Sequence, residues 1–199
     1  PTFTHRNAHA LHSEAAENRG FEQESTMPES RITRGAQFVF ATETVDLPNG
    51  RRVDRDVLRH PGAAAVVPFL GSGRVLLIRQ YRHAAGCELI EVPAGKLDPG
   101  ESPETCARRE LEEETGYRAG RIEKLTSIWT SPGFTDEVIH LFAAFDLEAT
   151  QQALEPDEII ELVPYSLEDA LAAVRSGEIS DAKSALSLLL AAERARSQR

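Results

Sequence analysis

The sequence predicts an α/β fold: a mixed sheet with helices on both faces, an α/β/α sandwich, preceded by an N-terminal β-hairpin region. Three observations carry this prediction. Short strand-like runs recur at 38–44, 51–58, 63–70, 74–81, 88–92, 122–129, 138–147 and 159–163. One helical pattern interrupts them at 103–115, and two more close the chain. No linker or internal repeat divides this order, so one mixed sheet covered by helices accounts for it.

Residues 1–30 are polar, with scattered His, Asn, Glu and Ser, and read as a tail with too little apolar surface to order itself. The chain starts at Pro1, and its sole methionine, Met27, could be a native start. Residues 31–60 read as a hairpin region. Phe38, Phe40, Thr42 and Thr44 share one side of an alternation, Pro48-Asn49-Gly50 signals a turn, and Val53 and Val57 continue on the return strand.

Residues 61–193 read as the main domain. The apolar run 63–70 ends in Gly71-Ser72-Gly73, and 74–81 returns from it, so this hairpin is expected to be buried on both faces. The strand at 88–92 leads through Pro93-Ala94 into a loop. Ser102 suits an N-cap, Pro103 the first helical position and Gly116 the C-terminal cap. Strands at 122–129 and 138–147 flank the turn-rich Ser131-Pro132-Gly133-Phe134-Thr135-Asp136. An acidic loop, Glu155-Pro156-Asp157-Glu158, precedes the last strand. Ser166 then caps a helix striped with Leu167, Leu171 and Val174. Asp181 caps a final helix running to about Ala192.

Composition narrows the function. The chain has 199 residues, 41% of them hydrophobic and 27% charged, as a globular domain requires. A net charge of −10 disfavours nucleic acids and anionic membranes as partners. No run reaches the ~20 apolar residues of a membrane helix, and the N-terminus lacks a charged-then-apolar signal pattern. Cys87 and Cys106 are too few for a disulfide framework and read as reduced thiols, so the expected compartment is the cytoplasm.

The chemistry concentrates between Gly95 and Tyr117. Glu110, Glu113 and Glu114 stand at i, i+3 and i+4 and share one face of the helix. Like charges at that spacing repel, and only Arg108 and Arg109 precede them. By itself the cluster fits a solvated acidic face as well as a site for a hard cation such as Mg²⁺ or Mn²⁺.

The wider spacing decides between these readings. Gly95, Glu101, Arg109, Glu110, Leu111, Glu113, Glu114 and Gly116 match the pattern G-x5-E-x7-R-E-U-x-E-E-x-G-U, where U is bulky and apolar. Tyr117 stands where an aliphatic residue is usual. The chain therefore resembles a Nudix hydrolase. The resemblance implies cleavage of a nucleoside diphosphate linked to another group, with metal carried by Glu110, Glu114 and Glu113 and the carbonyl of Ala94. It gives Arg109 and Glu101 positioning roles in the loop and helix.

A longer stretch, roughly 32–190, is similar to the ADP-ribose pyrophosphatase branch of that family. His60-Pro61-Gly62, Arg79-Gln80-Tyr81-Arg82 and Glu91-Val92-Pro93-Ala94-Gly95-Lys96-Leu97 carry this resemblance. It implies that Arg79 contacts the diphosphate or terminal ribose, as paired guanidinium donors suit phosphate. Arg51 and Arg55 would reach the nucleotide from the hairpin, and Glu91 would meet the adenine edge or position a water. Pro132 and Gly133 stand at about the distance beyond Gly116 where this branch carries a proline, which favours ADP-ribose.

The expected reaction is Mg²⁺-dependent hydrolysis of ADP-ribose to AMP and ribose 5-phosphate, with Mn²⁺ as a substitute. The alternatives are another sugar nucleotide, such as GDP-mannose, and a non-catalytic regulator that binds ADP-ribose. The resemblance also implies a homodimer with exchanged N-terminal hairpins, and a catalytic base on the acidic loop. Glu158 is the expected base because it borders a strand that would hold it, with Glu155 as runner-up.

Overall fold

The structure, a computed structural model, describes residues 32–34, 38–156 and 158–197. The tail expected over 1–30 lies outside the described residues. The chain first builds a small antiparallel sheet from β1 (Ile32–Arg34), β2 (Val39–Asp46) and β3 (Arg52–Arg59). Gly50, at φ +79°, closes the β2–β3 turn in a backbone conformation that side chains disfavour. Across the ribbon the Thr42 and Thr44 hydroxyls donate to Asp56 and Asp54 at 2.8 Å, and Asp46 pairs with Arg52.

This ribbon is tied to the main domain at one end. The Leu58 N–H donates to the Phe134 carbonyl at 2.7 Å, and the His60 N–H donates to Asp136 Oδ1 at 2.8 Å. Arg59 adds ion pairs to Asp136 and Glu43. The turn-rich stretch 131–136 is thus the hinge plate on which the N-terminal sheet rests.

The main sheet follows the order β10-β5-β4-β9-β8, with β6 (Cys87–Glu91) on β5 and β7 (Ala94–Lys96) on β4. Its strands are β4 (Ala63–Gly71), β5 (Arg74–Arg82), β8 (Tyr117–Trp129), β9 (Val138–Ala149) and β10 (Ile160–Ser166). β4 and β9 run parallel while their other neighbours are antiparallel, so the sheet is mixed as expected.

β4 explains the sandwich. Its side chains alternate between faces, and both faces are buried. Ala64 and Val66 pack with Cys106, Ala107 and Leu111 of α1 (Pro103–Thr115). Ala65 and Val67 pack on the opposite face, in the core with Leu171 of α2 (Leu167–Ser176) and Leu188 of α3 (Ala182–Ser197). Burying one such leucine contributes about 2 kcal/mol.

The helix ends follow their sequence signals. Ser102 Oγ accepts from the Thr105 N–H at 3.2 Å, and Gly116 ends α1 at φ +70°. Ser166 Oγ accepts from the Asp169 N–H, and Asp181 Oδ2 from the Ser184 N–H. Four boundaries differ from expectation. β1 adds a third strand to the hairpin region, β7 forms where a loop was expected, β8 begins at Tyr117, and α3 continues to Ser197. β7 is invisible to patterning because Ala94-Gly95-Lys96 has no apolar alternation; its partner β4 makes it a strand.

Candidate active site

The loop from β7 and the helix α1 meet face to face, and Arg109 holds them together. Its guanidinium donates to Glu101 at 2.9 Å, to the Lys96 carbonyl at 3.1 Å, to Glu110 at 2.7 Å and to Glu113 at 3.1 Å. Glu101 in turn accepts from the Asp98 N–H at 3.0 Å, which closes the loop. The Arg109 guanidinium holds the Glu101 carboxyl below its usual range, and Glu101 is the main cause of the raised pKa of Arg109.

Two carboxylates of the cluster are buried. Glu110 packs directly against Gly95, where the glycine leaves room for it. Glu114 is only 2% exposed, and its Oε2 accepts from the Ala94 N–H at 2.9 Å. Burial pushes the Glu114 carboxyl well above the usual range, the neighbouring Glu110 charge adds to this, and the Ala94 N–H opposes it. Burial likewise raises Glu110, against the pull of Arg109. Glu113 is more exposed than either, at the edge of the same face.

Two adjacent acids are driven upward by burial even with Arg109 beside Glu110 and Glu113. Hard oxygen donors, three carboxylates on one helix face beside backbone carbonyls, fit a divalent cation. Among the described residues, no three His, Cys, Asp or Glu side chains are gathered closely enough to hold an ion as they stand, and Arg109 occupies one edge of Glu110 and Glu113.

The acidic loop comes back to this face. Behind burial, the Glu158 carboxylate also helps to raise both Glu110 and Glu114. Its carboxylate accepts from the Glu155 N–H at 2.9 Å, and its own N–H donates to the Glu155 carbonyl at 3.0 Å. Glu155 is exposed.

The R-x-x-R segment divides between faces. Arg79 pairs with exposed Glu161 at 3.0 Å across the β5–β10 ladder. Arg82, three residues on along an unbroken ladder, stands on the opposite face. It grips Glu91 with Nε at 2.8 Å and Nη2 at 2.9 Å, and Glu114 helps to raise its pKa. Glu91 itself is 1% exposed, and Lys183 also donates to its Oε2. Both oxygens of Glu91 are therefore engaged within the chain.

Among the described residues, the remaining expected site residues make no hydrogen bond or ion pair with the carboxylates. Arg51 is exposed at the turn end of the β2–β3 ribbon and Arg55 is exposed midway along β3, opposite Glu43. Pro132 and Gly133 are exposed in the loop that supports β3. Arg82 is the residue that sequence reasoning passed over in favour of Arg79. Strand parity is the signal that separates the two, but only the structure says which of them meets Glu91.

A family model described as "NUDIX domain" matches residues 58–185. The chain belongs to the Nudix family. Such hydrolases act on pyrophosphate bonds and generally use divalent metals. The chain is 42% identical over 168 residues to "ADP-ribose pyrophosphatase" of Bacillus subtilis, covering 83% of this chain and 91% of the relative. It is 39% identical to "Methanol dehydrogenase activator" of Bacillus methanolicus over the same shares, and 40% identical to "GDP-mannose pyrophosphatase" of Cronobacter sakazakii, over 76% and 86%. A solved structure titled "Crystal structure of ADP compounds hydrolase" superposes with a TM-score of 0.75 at 23% identity, covering 87% of this chain and 97% of that one. It shows that the Nudix fold is shared. No helix among the described residues is long and apolar enough to cross a membrane.

Proposed function

We propose that this Nudix protein hydrolyses the diphosphate of ADP-ribose, releasing AMP and ribose 5-phosphate, with Mg²⁺ as cofactor and Mn²⁺ as its substitute. The observation that carries this reading is the buried Glu110–Glu114 pair, seated against Gly95 and the Ala94 N–H. The names of the Bacillus subtilis relative and a Mycobacterium tuberculosis relative, 35% identical, favour ADP-ribose.

In this reading Glu110, Glu114 and Glu113 would hold the cation with the Ala94 carbonyl. The cation supplies charge neutralisation and Lewis acidity at the diphosphate. Arg109 and Glu101 keep the loop against α1, so the ligands stay in register. Glu158 takes the proton of the attacking water, because it is near the pair yet not packed among the ligands. The water attacks phosphorus, the bridging oxygen leaves, and no enzyme-bound ester is formed.

Arg82, braced by Glu91, offers its remaining donors to the diphosphate, and Arg79 is a second candidate. Residues 61–193 form the catalytic domain. Residues 31–60 exchange between two cytoplasmic protomers, bringing Arg51 and Arg55 to the partner's nucleotide, with Pro132 and Gly133 shaping the adjoining loop.

The test is product analysis by mass spectrometry over a panel of nucleotide sugars with Mg²⁺. Fastest conversion of ADP-ribose to AMP and ribose 5-phosphate is expected. Preference for GDP-mannose would move the substrate, and tight ADP-ribose binding without turnover at saturating Mg²⁺ would make the protein a regulator.

A further inference from the structure

The start of α3 is wired to the strand that leads into the site. Lys183 Nζ donates to Glu91 and, at 3.0 Å, to Asp181 Oδ2. Ser184, fully buried, accepts from the Val92 N–H at 2.8 Å, and Asp181 Oδ2 accepts from the Ser184 N–H at 2.9 Å. Two residues beyond Val92, the Ala94 N–H reaches Glu114. Asp181, Lys183 and Ser184 thus brace both a side chain and a backbone group of the segment 91–94.

Lys183 is not needed to neutralise Glu91. Arg82 already meets that carboxylate through two parallel donors, a complete charge pair. What Lys183 adds is a second donor on Oε2, the oxygen that Arg82 Nη2 also meets, tied through Asp181 to the start of α3. With Arg82 alone, the carboxylate can turn about its own stem and carry the guanidinium with it. Lys183, 13% exposed and fixed by Asp181, removes that freedom. The donors of Arg82 outside the Glu91 grip then keep one orientation.

We propose that Lys183 is a positioning residue for substrate: through Glu91 it fixes the Arg82 guanidinium that receives the diphosphate. This rests on the diphosphate reading of the site. It places a determinant of affinity on the last helix, 73 residues beyond Glu110 in the chain.

A double-mutant cycle tests it. Lys183→Met should raise both KM for ADP-ribose and its Kd by calorimetry in chelator about tenfold, with kcat within about threefold, and Lys183→Arg should recover most of the loss. In an Arg82→Gln background, Lys183→Met should change KM by less than about twofold, because its route of action is already gone. Losses that multiply in the double variant, or a Lys183→Met KM within twofold of the parent, overturn the proposal. If Lys183→Met does not fold by circular dichroism, Lys183→Gln completes the same cycle. Wild-type protein that turns over no nucleotide sugar refutes the diphosphate reading itself. Turnover with an additive cycle refutes only the role of Lys183.

Discussion

The Glu110 carboxylate occupies the space that a side chain at Gly95 would need: a β-carbon there would fall 1.9 Å from Glu110 Oε1. The glycine is required for close approach, not for an unusual backbone angle, since Gly95 is absent from the positive-φ residues. Gly95→Ala should displace Glu110 and weaken Mg²⁺ activation by at least about tenfold, with the fold kept. Metal titration of activity beside circular dichroism checks this. An alanine variant with unchanged Mg²⁺ dependence would mean that Glu110 is not a ligand.

Removing a buried charge should stabilise the metal-free protein. Glu110 and Glu114 have folded pKa values above their ordinary 4.5, so the folded state binds protons more tightly than the unfolded state. Their contribution favours folding at low pH and is lost as pH rises through the raised values. Glu114→Gln should therefore raise the metal-free Tm near neutral pH by about 2–8 °C and remove most of the Tm gain on adding Mg²⁺. Scanning calorimetry with and without Mg²⁺ measures both. A lower metal-free Tm would show that Glu114 is already satisfied without a cation.

Loss of the proton acceptor should separate from loss of binding. Glu158→Gln is expected to lower kcat by about 10²–10⁴-fold while KM and Mg²⁺ dependence stay near the parent values. Glu155→Gln should remain close to wild type, since Glu155 contributes only its backbone to the hold on Glu158. If the two variants exchange phenotypes, the base is Glu155. If neither loses activity, the loop only covers the site.

Subunit exchange is testable by size. Sedimentation at micromolar concentration should give a dimer, because the three-stranded N-terminal sheet is joined to its own domain at one end only. A mixture of Arg51→Ala and Glu114→Gln proteins should then regain activity after co-refolding, as some mixed dimers carry one intact site. A monomer would remove Arg51 and Arg55 from the site.

The carboxylate face of α1 was legible in the sequence because it is local. Glu110, Glu113 and Glu114 lie within five residues of one helix, and a 3.6-residue turn by itself puts them on one face. The caps at Ser102 and Gly116 and the all-apolar β4 are local in the same sense. Tertiary structure decided what depends on distant partners. Strand parity separates Arg79 from Arg82, but only the sheet order gives Arg79 to Glu161 and leaves Arg82 near Glu114. β7 is a strand because β4 lies beside it. Lys183 meets Glu91 across 92 residues of sequence, and no periodicity encodes that encounter. A buried carboxylate requires a partner wherever the fold can bring one, and only the packing of α3 determines that Lys183 supplies it.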